Sequence, residues 1–210
     1  MNLSDLRRDF GAQGQNEEPP PENPFELFEK WLAKAIQFPL SEANAMVLST
    51  VDSQNRPSSR VVLLKAFNKQ KGFAFYTDYG SQKASDLAQN PYASLLFFWP
   101  VLERQIRIEG TVEKTSRSQS VAYFNSRPPE SRASAIVSHQ SKPITHWKRL
   151  RQRQKELLNG DKPLLCPERW GGYHLKPHRF EFWQGGINRL HHRLVYQLNE
   201  NHWETQTLAP

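Results

Sequence analysis

The stretch Glu181-Phe182-Trp183-Gln184-Gly185-Gly186-Ile187-Asn188-Arg189-Leu190-His191-His192-Arg193 decides the reading of this chain. An aromatic strand enters it, two glycines interrupt it, and a dense run of cations and imidazoles leaves it. In extended chain, alternate side chains share a face. Arg189, His191 and Arg193 are then expected on one face, with Leu190, Leu194 and Tyr196 turned to a core on the other. Like charges so close repel unless an anion sits among them, and guanidinium forks match phosphate and carboxylate geometry. An exposed strand with solvated charges is the other reading, and this run alone does not choose between them.

Working outward, the same region reads as antiparallel sheet. Strands are expected at 173–183, 193–199 and 202–208, with a tight turn at Asn199-Glu200-Asn201. Upstream, 45–51, 58–67, 72–77, 92–99 and 104–113 form closely spaced strands. Asp52-Ser53-Gln54-Asn55 and Pro100 supply turns between them. Short connections favour antiparallel pairing in a sandwich or barrel. A helix is expected from Asn23-Pro24 to about Pro39, with Phe25, Phe28, Leu32 and Ile36 facing the core. Short helices are expected at 80–90, 116–126 and 131–138. A longer helix spans 144–159, with Ile144, Trp147, Leu150 and Leu157 on one face and Gly160 as its cap. Residues 1–23, with Asn16-Glu17-Glu18-Pro19-Pro20-Pro21, read as a flexible leader, and 24–210 as a single domain. The fold class is mainly β with helices.

Composition narrows the function. The chain has 210 residues, 11% of them aromatic, which is enough for a sizeable core. No apolar run is long enough to span a membrane, and the N-terminus lacks an apolar signal core, so a cytoplasmic protein is expected. A single cysteine, Cys166, excludes an internal disulfide and a cysteine-based metal cluster. His139, His146, His174 and His178 have no metal-site spacing, so no metal is expected. The net charge of +7 suits anionic partners. Lys148, Arg149, Arg151, Arg153 and Lys155 share the long helix, where a solvated face is the simpler account, and nucleic acid is not an expected partner. Phosphate-loop, dinucleotide and hydrolase-elbow motifs are missing.

Several residues are suited to discrete anion contacts. Tyr76-Thr77 leads to Ser81-Gln82-Lys83 at a helix start, where free N–H groups and the helix dipole attract anions. Arg60 and Lys65 bracket Val61-Val62-Leu63-Leu64. Their odd separation sends them to opposite faces of a regular strand, so serving one ligand requires a bend. Tyr123, Arg127 and Ser131 are spaced by four, but Pro128-Pro129 breaks the helix between them. They read as a helix end, a turn and a new helix converging on a phosphate clamp, or as a capped turn with a solvated arginine. Gln140 and Ser141 add neutral hydrogen-bonding groups.

Taken in order, "RVVLLK" at 60–65, "FYTDYGSQK" at 75–83, "LERQ" at 102–105, "YFNSRPPES" at 123–131, "VSHQS" at 137–141, "WGGY" at 170–173, "EFWQGGINRLHHR" at 181–193 and a terminal "LAP" resemble the pyridoxamine 5′-phosphate oxidase family. The resemblance implies an FMN-binding split β-barrel acting as a homodimer with FMN at the subunit interface. It implies oxidation of pyridoxine 5′-phosphate or pyridoxamine 5′-phosphate to pyridoxal 5′-phosphate, in the synthesis and salvage of the vitamin B6 coenzyme. Oxygen is the electron acceptor, giving peroxide, and the amine substrate also releases ammonia. By motif position it implies FMN contacts from Arg60, Val61, Val62, Leu63, Leu64, Lys65, Tyr76, Thr77, Ser81, Gln82, Lys83, Gln105, Gln140, Ser141, Trp183 and Arg193. Substrate contacts are implied for Lys65, Tyr123, Arg127, Ser131, Arg189 and His191, the last two at the reacting ring.

Three positions depart from the pattern. Gln82 stands where many members have Arg, and His192 where an acid is common. Phe10, in "LRRDF" at 6–10, stands where a Tyr often occurs in a segment that covers the substrate. The alternatives are a split-barrel flavin reductase-like enzyme with another substrate, and a flavin or pyridoxal-phosphate carrier without turnover.

Overall fold

The computed structural model describes residues 10–11, 19–38 and 42–210. Most of the 1–23 leader and of "LRRDF" therefore lies outside the described residues. Among the described residues, five α-helices and nine strands follow in chain order: α1 (Pro24–Gln37), β1 (Ala45–Val51), β2 (Pro57–Leu63), β3 (Ala66–Asn68), β4 (Gly72–Asp78), α2 (Gln82–Gln89), β5 (Tyr92–Trp99), β6 (Arg104–Lys114), α3 (Arg117–Ser126), α4 (Pro129–Val137), α5 (Trp147–Asn159), β7 (Trp170–Gln184), β8 (His192–Asn199) and β9 (His202–Leu208).

All strand pairs are antiparallel, in the order β2-β1-β5-β6-β7-β4-β3, with β8 also on β7 and β9 on β8. This is the split barrel that the sequence leads one to expect. Its path returns on itself at one corner. The Leu64 N–H donates to the Asn44 carbonyl just before β1, and the Lys65 N–H donates to Ala74 in β4, both at 2.9 Å. The expected single strand over 58–67 is thus two strands, β2 and β3, hinged at Leu64-Lys65.

The split itself has a chemical cause in β7. Its first half pairs β4 from Trp170 to Leu175, and its second half pairs β8 from Arg179 to Gln184. Pro177 lies in the gap between them. Proline has no N–H to give a ladder, so the strand exchanges neighbours there. On the other edge, the β6 register slips at Glu109/Gly110, next to the Gly110–Pro177 pair.

Alternating burial along β1, β5 and β6 points Met46, Leu48, Leu95, Phe97, Ile106 and Ile108 inward. Helix α1 plugs this interior, with Phe28 edge-on to Phe73 at 4.9 Å and to Phe97 at 5.2 Å. Asn23 caps the helix through its side chain onto the Phe25 N–H. The buried face centres on Phe28 and Ala35 rather than on the expected line through Ile36. One residue further on is a rotation of about 100°, and Ile36 therefore turns to solvent, 65% exposed. Helix α5 departs from expectation in the same sense. None of its residues is buried, and Ile144 and Trp147 stay exposed. Its cap residue Gly160 has a φ of −92°, so no left-handed cap forms.

Candidate functional site

A cleft of about 970 Å³ opens where the barrel corner, the β4–α2 connection and the α3–α4 turn meet. The hinge at Leu64-Lys65 supplies the bend that Arg60 and Lys65 need, and both line the cleft together with Val61, Val62 and Leu63. Leu64 does not line it. Its side chain is 5% exposed and lies in the core, because the corner turns it inward.

The β4–α2 wall brings Tyr76, Thr77, Gln82 and Lys83 to the cleft. Ser81 is the N-cap of α2, yet its side chain makes no cap bond and is fully buried behind the cleft. Lys83 is also buried, and its Nζ donates to Gln140 Oε1 at 2.7 Å and to Thr77 Oγ1 at 3.2 Å. Burial, then the nearby Arg60 charge, pushes its ammonium down to about 8, against partial support from Asp78 and Asp86. Arg60 is held from behind: Nη1 donates to Thr50 Oγ1 at 2.7 Å, Nη2 to Ser58 Oγ at 2.8 Å, and Asp86 lies 3.6 Å away. Gln82 spends its side-chain amide on Asp86 Oδ1 at 2.8 Å, while its N–H donates to Ser141 Oγ. Glutamine here thus hydrogen-bonds to a buried carboxylate without adding a cation to the cleft.

The opposite wall is aromatic and basic. Tyr76 stacks on Tyr123 at 4.0 Å and on Trp170 at 5.6 Å. Burial raises the Tyr76 phenol, keeping it protonated. Arg127 lies over Trp170 at 4.8 Å. Its Nη1 is buried and has no hydrogen-bond partner among the described residues, in a cleft that Lys65, Tyr123 and Ser131 also line. A buried guanidinium N–H without an acceptor is costly, and an anion in the cleft would relieve that cost. Of the two readings of the Pro128-Pro129 break, the structure has the converging one: α3 ends at Ser126, α4 begins at Pro129, two residues before the expected start at 131, and Arg127 and Ser131 line one cleft. The sequence alone gives Trp170 no role in the site. Its signal was the "WGGY" motif, but only the strand register Asp78↔Trp170 shows that it floors this wall.

Helix α3 carries Tyr123 and ends one residue before Arg127, and a capping box fixes its start, with Ser116 and Gln119 bonding each other's backbone. Ser116→Ala removes one half of that box at an expected cost of about 1 kcal/mol. For a chain of this size that is a fall of about 2–4 °C in melting temperature, read by calorimetry. An unchanged melting temperature would show that packing alone sets α3.

Five further expected site residues, Gln105, Trp183, Arg189, His191 and Arg193, do not line this cleft. They gather on the β6–β7–β8 portion of the sheet. Gln105 pairs with Trp183, Trp183 pairs with Arg193, and the His191 ring lies 4.7 Å from Trp183. Phe10, the one described residue of "LRRDF", packs edge-on to Trp183 at 5.5 Å and His191 at 5.3 Å. Arg193 is clamped by Glu181, whose Oε1 accepts from Nε at 2.9 Å and Nη2 at 2.8 Å; the Ala209 carbonyl takes Nη1 at 3.0 Å. Burial works to raise the Glu181 carboxyl, but the hydrogen bonds from Arg193 and Arg179 outweigh it and hold the group below the usual range.

The extended geometry that would set Arg189 and His191 on one face with Arg193 does not hold before His192, where β8 begins. Ile187–Arg189 forms one 3₁₀ turn, with Asn188 at φ 53° and Arg189 at φ 64°. Leu190 is therefore 71% exposed instead of facing the core, while Leu194 and Tyr196 are buried as expected. The turn is held by the Gly186 N–H donating to His191 Nδ1 at 3.2 Å. A Cβ on Gly186 would collide with the Leu190 carbonyl, so glycine is required there. With Nδ1 accepting, a neutral His191 ring carries its proton on Nε2.

Two family models cover most of the chain: pyridoxamine 5′-phosphate oxidase over residues 32–156, and pyridoxine 5′-phosphate oxidase C-terminal dimerisation region over 170–210. This chain belongs to the pyridoxamine 5′-phosphate oxidase family. Within that family it is similar to the pyridoxine/pyridoxamine 5′-phosphate oxidase of Pseudomonas syringae pv. syringae (strain B728a), 49% identical over 100% of this chain and 99% of that protein. The oxidase of the same name from Acaryochloris marina (strain MBIC 11017) is 46% identical over 100% and 96%. Among solved structures, PhzG from Burkholderia lata 383, in complex with tetrahydrophenazine-1-carboxylic acid, superposes with a TM-score of 0.90 at 32% identity. The match covers 97% of this chain and 100% of that one. The matched dimerisation region contains Trp183, Arg189, His191 and Arg193, all four outside the cleft.

Proposed function

We propose that this protein is an FMN-dependent oxidase that converts pyridoxine 5′-phosphate or pyridoxamine 5′-phosphate to pyridoxal 5′-phosphate. Oxygen takes up the electrons as hydrogen peroxide. The alcohol needs only oxygen, whereas the amine also consumes water and releases ammonia. The observation that carries the reading is the unpartnered, buried Nη1 of Arg127 in a cleft that a second cationic group, Arg60 and Lys83, also lines. Two phosphorylated ligands require two such centres. Relatives bearing the oxidase name along the whole chain support it.

The residues fit FMN. Arg60, Lys83 and the α2 start would hold its phosphate, with Thr77, Gln140 and Ser141 as neutral partners; Gln105, Trp183 and Arg193 would meet its ring system. Bound FMN supplies a two-electron hydride acceptor. The chain's own contribution is binding, orientation and exclusion of water. Lys65, Tyr123, Arg127 and Ser131 take the substrate phosphate. Arg189 orients the substrate ring, and His191 offers it a proton from Nε2. Because Trp183, Arg189, His191 and Arg193 do not line the cleft, a second copy of the chain would bring them to it, in a homodimer with FMN at the interface. The dimerisation region over 170–210 supports this arrangement.

The full-length chain should show a flavin visible spectrum and, with pyridoxine 5′-phosphate in air, form pyridoxal 5′-phosphate and peroxide in equal amounts. Flavin without product would sink the substrate assignment. One observation favours a second reading: the likeness to PhzG, whose bound ligand is a carboxylic acid. The Lys65–Arg127 cluster suits a carboxylate too, and oxidation of a reduced tricyclic carboxylate in the absence of B6-phosphate turnover would select that reading.

A further inference from the structure

Arg169, which precedes β7, makes an unusual set of bonds. Its Nη2 donates to the carbonyls of Ala135 at 3.1 Å, Ile136 at 2.7 Å and Ser138 at 3.0 Å, and Nη1 donates to Ala135 at 3.2 Å. The same guanidinium lies 3.4 Å from Asp78 Oδ2, whose carboxyl is buried at the end of β4. The other Asp78 oxygen accepts from the Gly80 N–H at 2.7 Å, just before α2.

The last carbonyls of a helix have no partner within it, and α4 has no basic residue in its own last turn. Arg169 caps that end from the turn before β7, more than thirty residues away. Its position matters because the chain leaves α4 directly into Gln140 and Ser141. Gln140 receives Lys83 and Thr77, and Ser141 receives the Gln82 N–H. Ser141 holds a left-handed φ of 68°, a conformation that serine keeps only when its surroundings impose it. One planar cation therefore joins the two walls of the cleft: β4–α2 through Asp78, and the α4 exit through three carbonyls.

We infer that Arg169 is a positioning residue for the cofactor phosphate, setting the Ser138–Ser141 segment against Lys83 and Thr77 without itself lining the cleft. This rests on the FMN reading above. Lysine at 169 keeps the charge toward Asp78, but one ammonium lacks the fork that spans several carbonyls.

The test is titration of flavin-free full-length protein with FMN, followed by quenching of flavin fluorescence, for the parent, Arg169→Met, Arg169→Lys, Gln140→Ala and the double variant Arg169→Met/Gln140→Ala. Thermal melts are run beside each. Arg169→Met should raise the FMN dissociation constant about tenfold or more, with Arg169→Lys between it and the parent. In the Gln140→Ala background the Arg169 effect should shrink to about twofold or less, because the segment through which it acts has already lost its contact. A purely structural role would lower the melting temperature and add its full effect in both backgrounds, overturning the inference. So would a dissociation constant for Arg169→Met within twofold of the parent, or loss of folding in both Arg169 variants. A parent chain that binds no FMN fails the cofactor reading itself, and this inference with it.

Discussion

Arg189→Ala is expected to lower kcat/KM for pyridoxine 5′-phosphate by about 100-fold or more, the scale for removing one oriented donor from a reacting centre, while FMN stays bound. Arg189 does not line the cleft in which the cofactor phosphate is placed, so its removal leaves that half of the site intact. Two further variants separate charge from geometry. Arg189→Lys keeps the cation and loses the fork, so it should remain strongly impaired. Arg189→Gly relaxes the left-handed backbone at φ 64° and still lacks the guanidinium, so it should match Arg189→Ala. If glycine restores turnover, the turn rather than the side chain matters. His191→Ala, which removes the Nε2 donor fixed by Gly186, should cost about tenfold or more. Full activity in Arg189→Ala and His191→Ala together would exclude both from the reaction.

The second large effect concerns pH. Lys83 loses its proton at about 8 because it is buried and close to Arg60. Its protonated form is the one that attracts a phosphate dianion. A flavin phosphate gains its second charge above about pH 6. Apoprotein affinity for FMN should therefore peak between those limits, falling as pH rises through 8 when Lys83 becomes neutral, and falling below 6 as the phosphate becomes a monoanion. Lys83→Met should weaken FMN binding about 10- to 100-fold at pH 7 and abolish the alkaline fall while leaving the acidic one. Fluorescence titration from pH 5.5 to 9.5 reads both limbs. An alkaline fall that survives in Lys83→Met would assign it to another group.

What was legible in the sequence was whatever depends on neighbours along the chain. Strands β1, β5 and β9 have the bounds expected from apolar content and turn residues, because Asp52-Ser53-Gln54-Asn55 and Asn199-Glu200-Asn201 are signals local to the chain. The Pro128-Pro129 break marks the two short helices, while the sequence leaves open whether Arg127 joins Ser131 or is solvated at a capped turn. The order of the motifs pointed to the family. Extended geometry fails at Asn188 and Arg189 because their left-handed turn brings the Leu190 carbonyl over Gly186, a contact that no periodicity encodes.

Tertiary structure alone decided the rest. Whether Arg60 and Lys65 line one cleft depends on the Leu64-Lys65 corner, which is set by hydrogen bonds to Asn44 and Ala74, partners in two different strands or their approaches. Leu64 and Ser81 were drawn away from the cleft by burial that the whole barrel imposes. Pro177 was visible as a residue, but its part in passing β7 from β4 to β8 exists only once three strands are assembled around it. Arg169 shows the same limit most plainly: beside Trp170 it is one more basic residue, and its helix cap lies more than thirty positions away. A sequence records which groups are present and how they alternate. Which groups meet is determined by the packing that brings distant segments into hydrogen-bonding range.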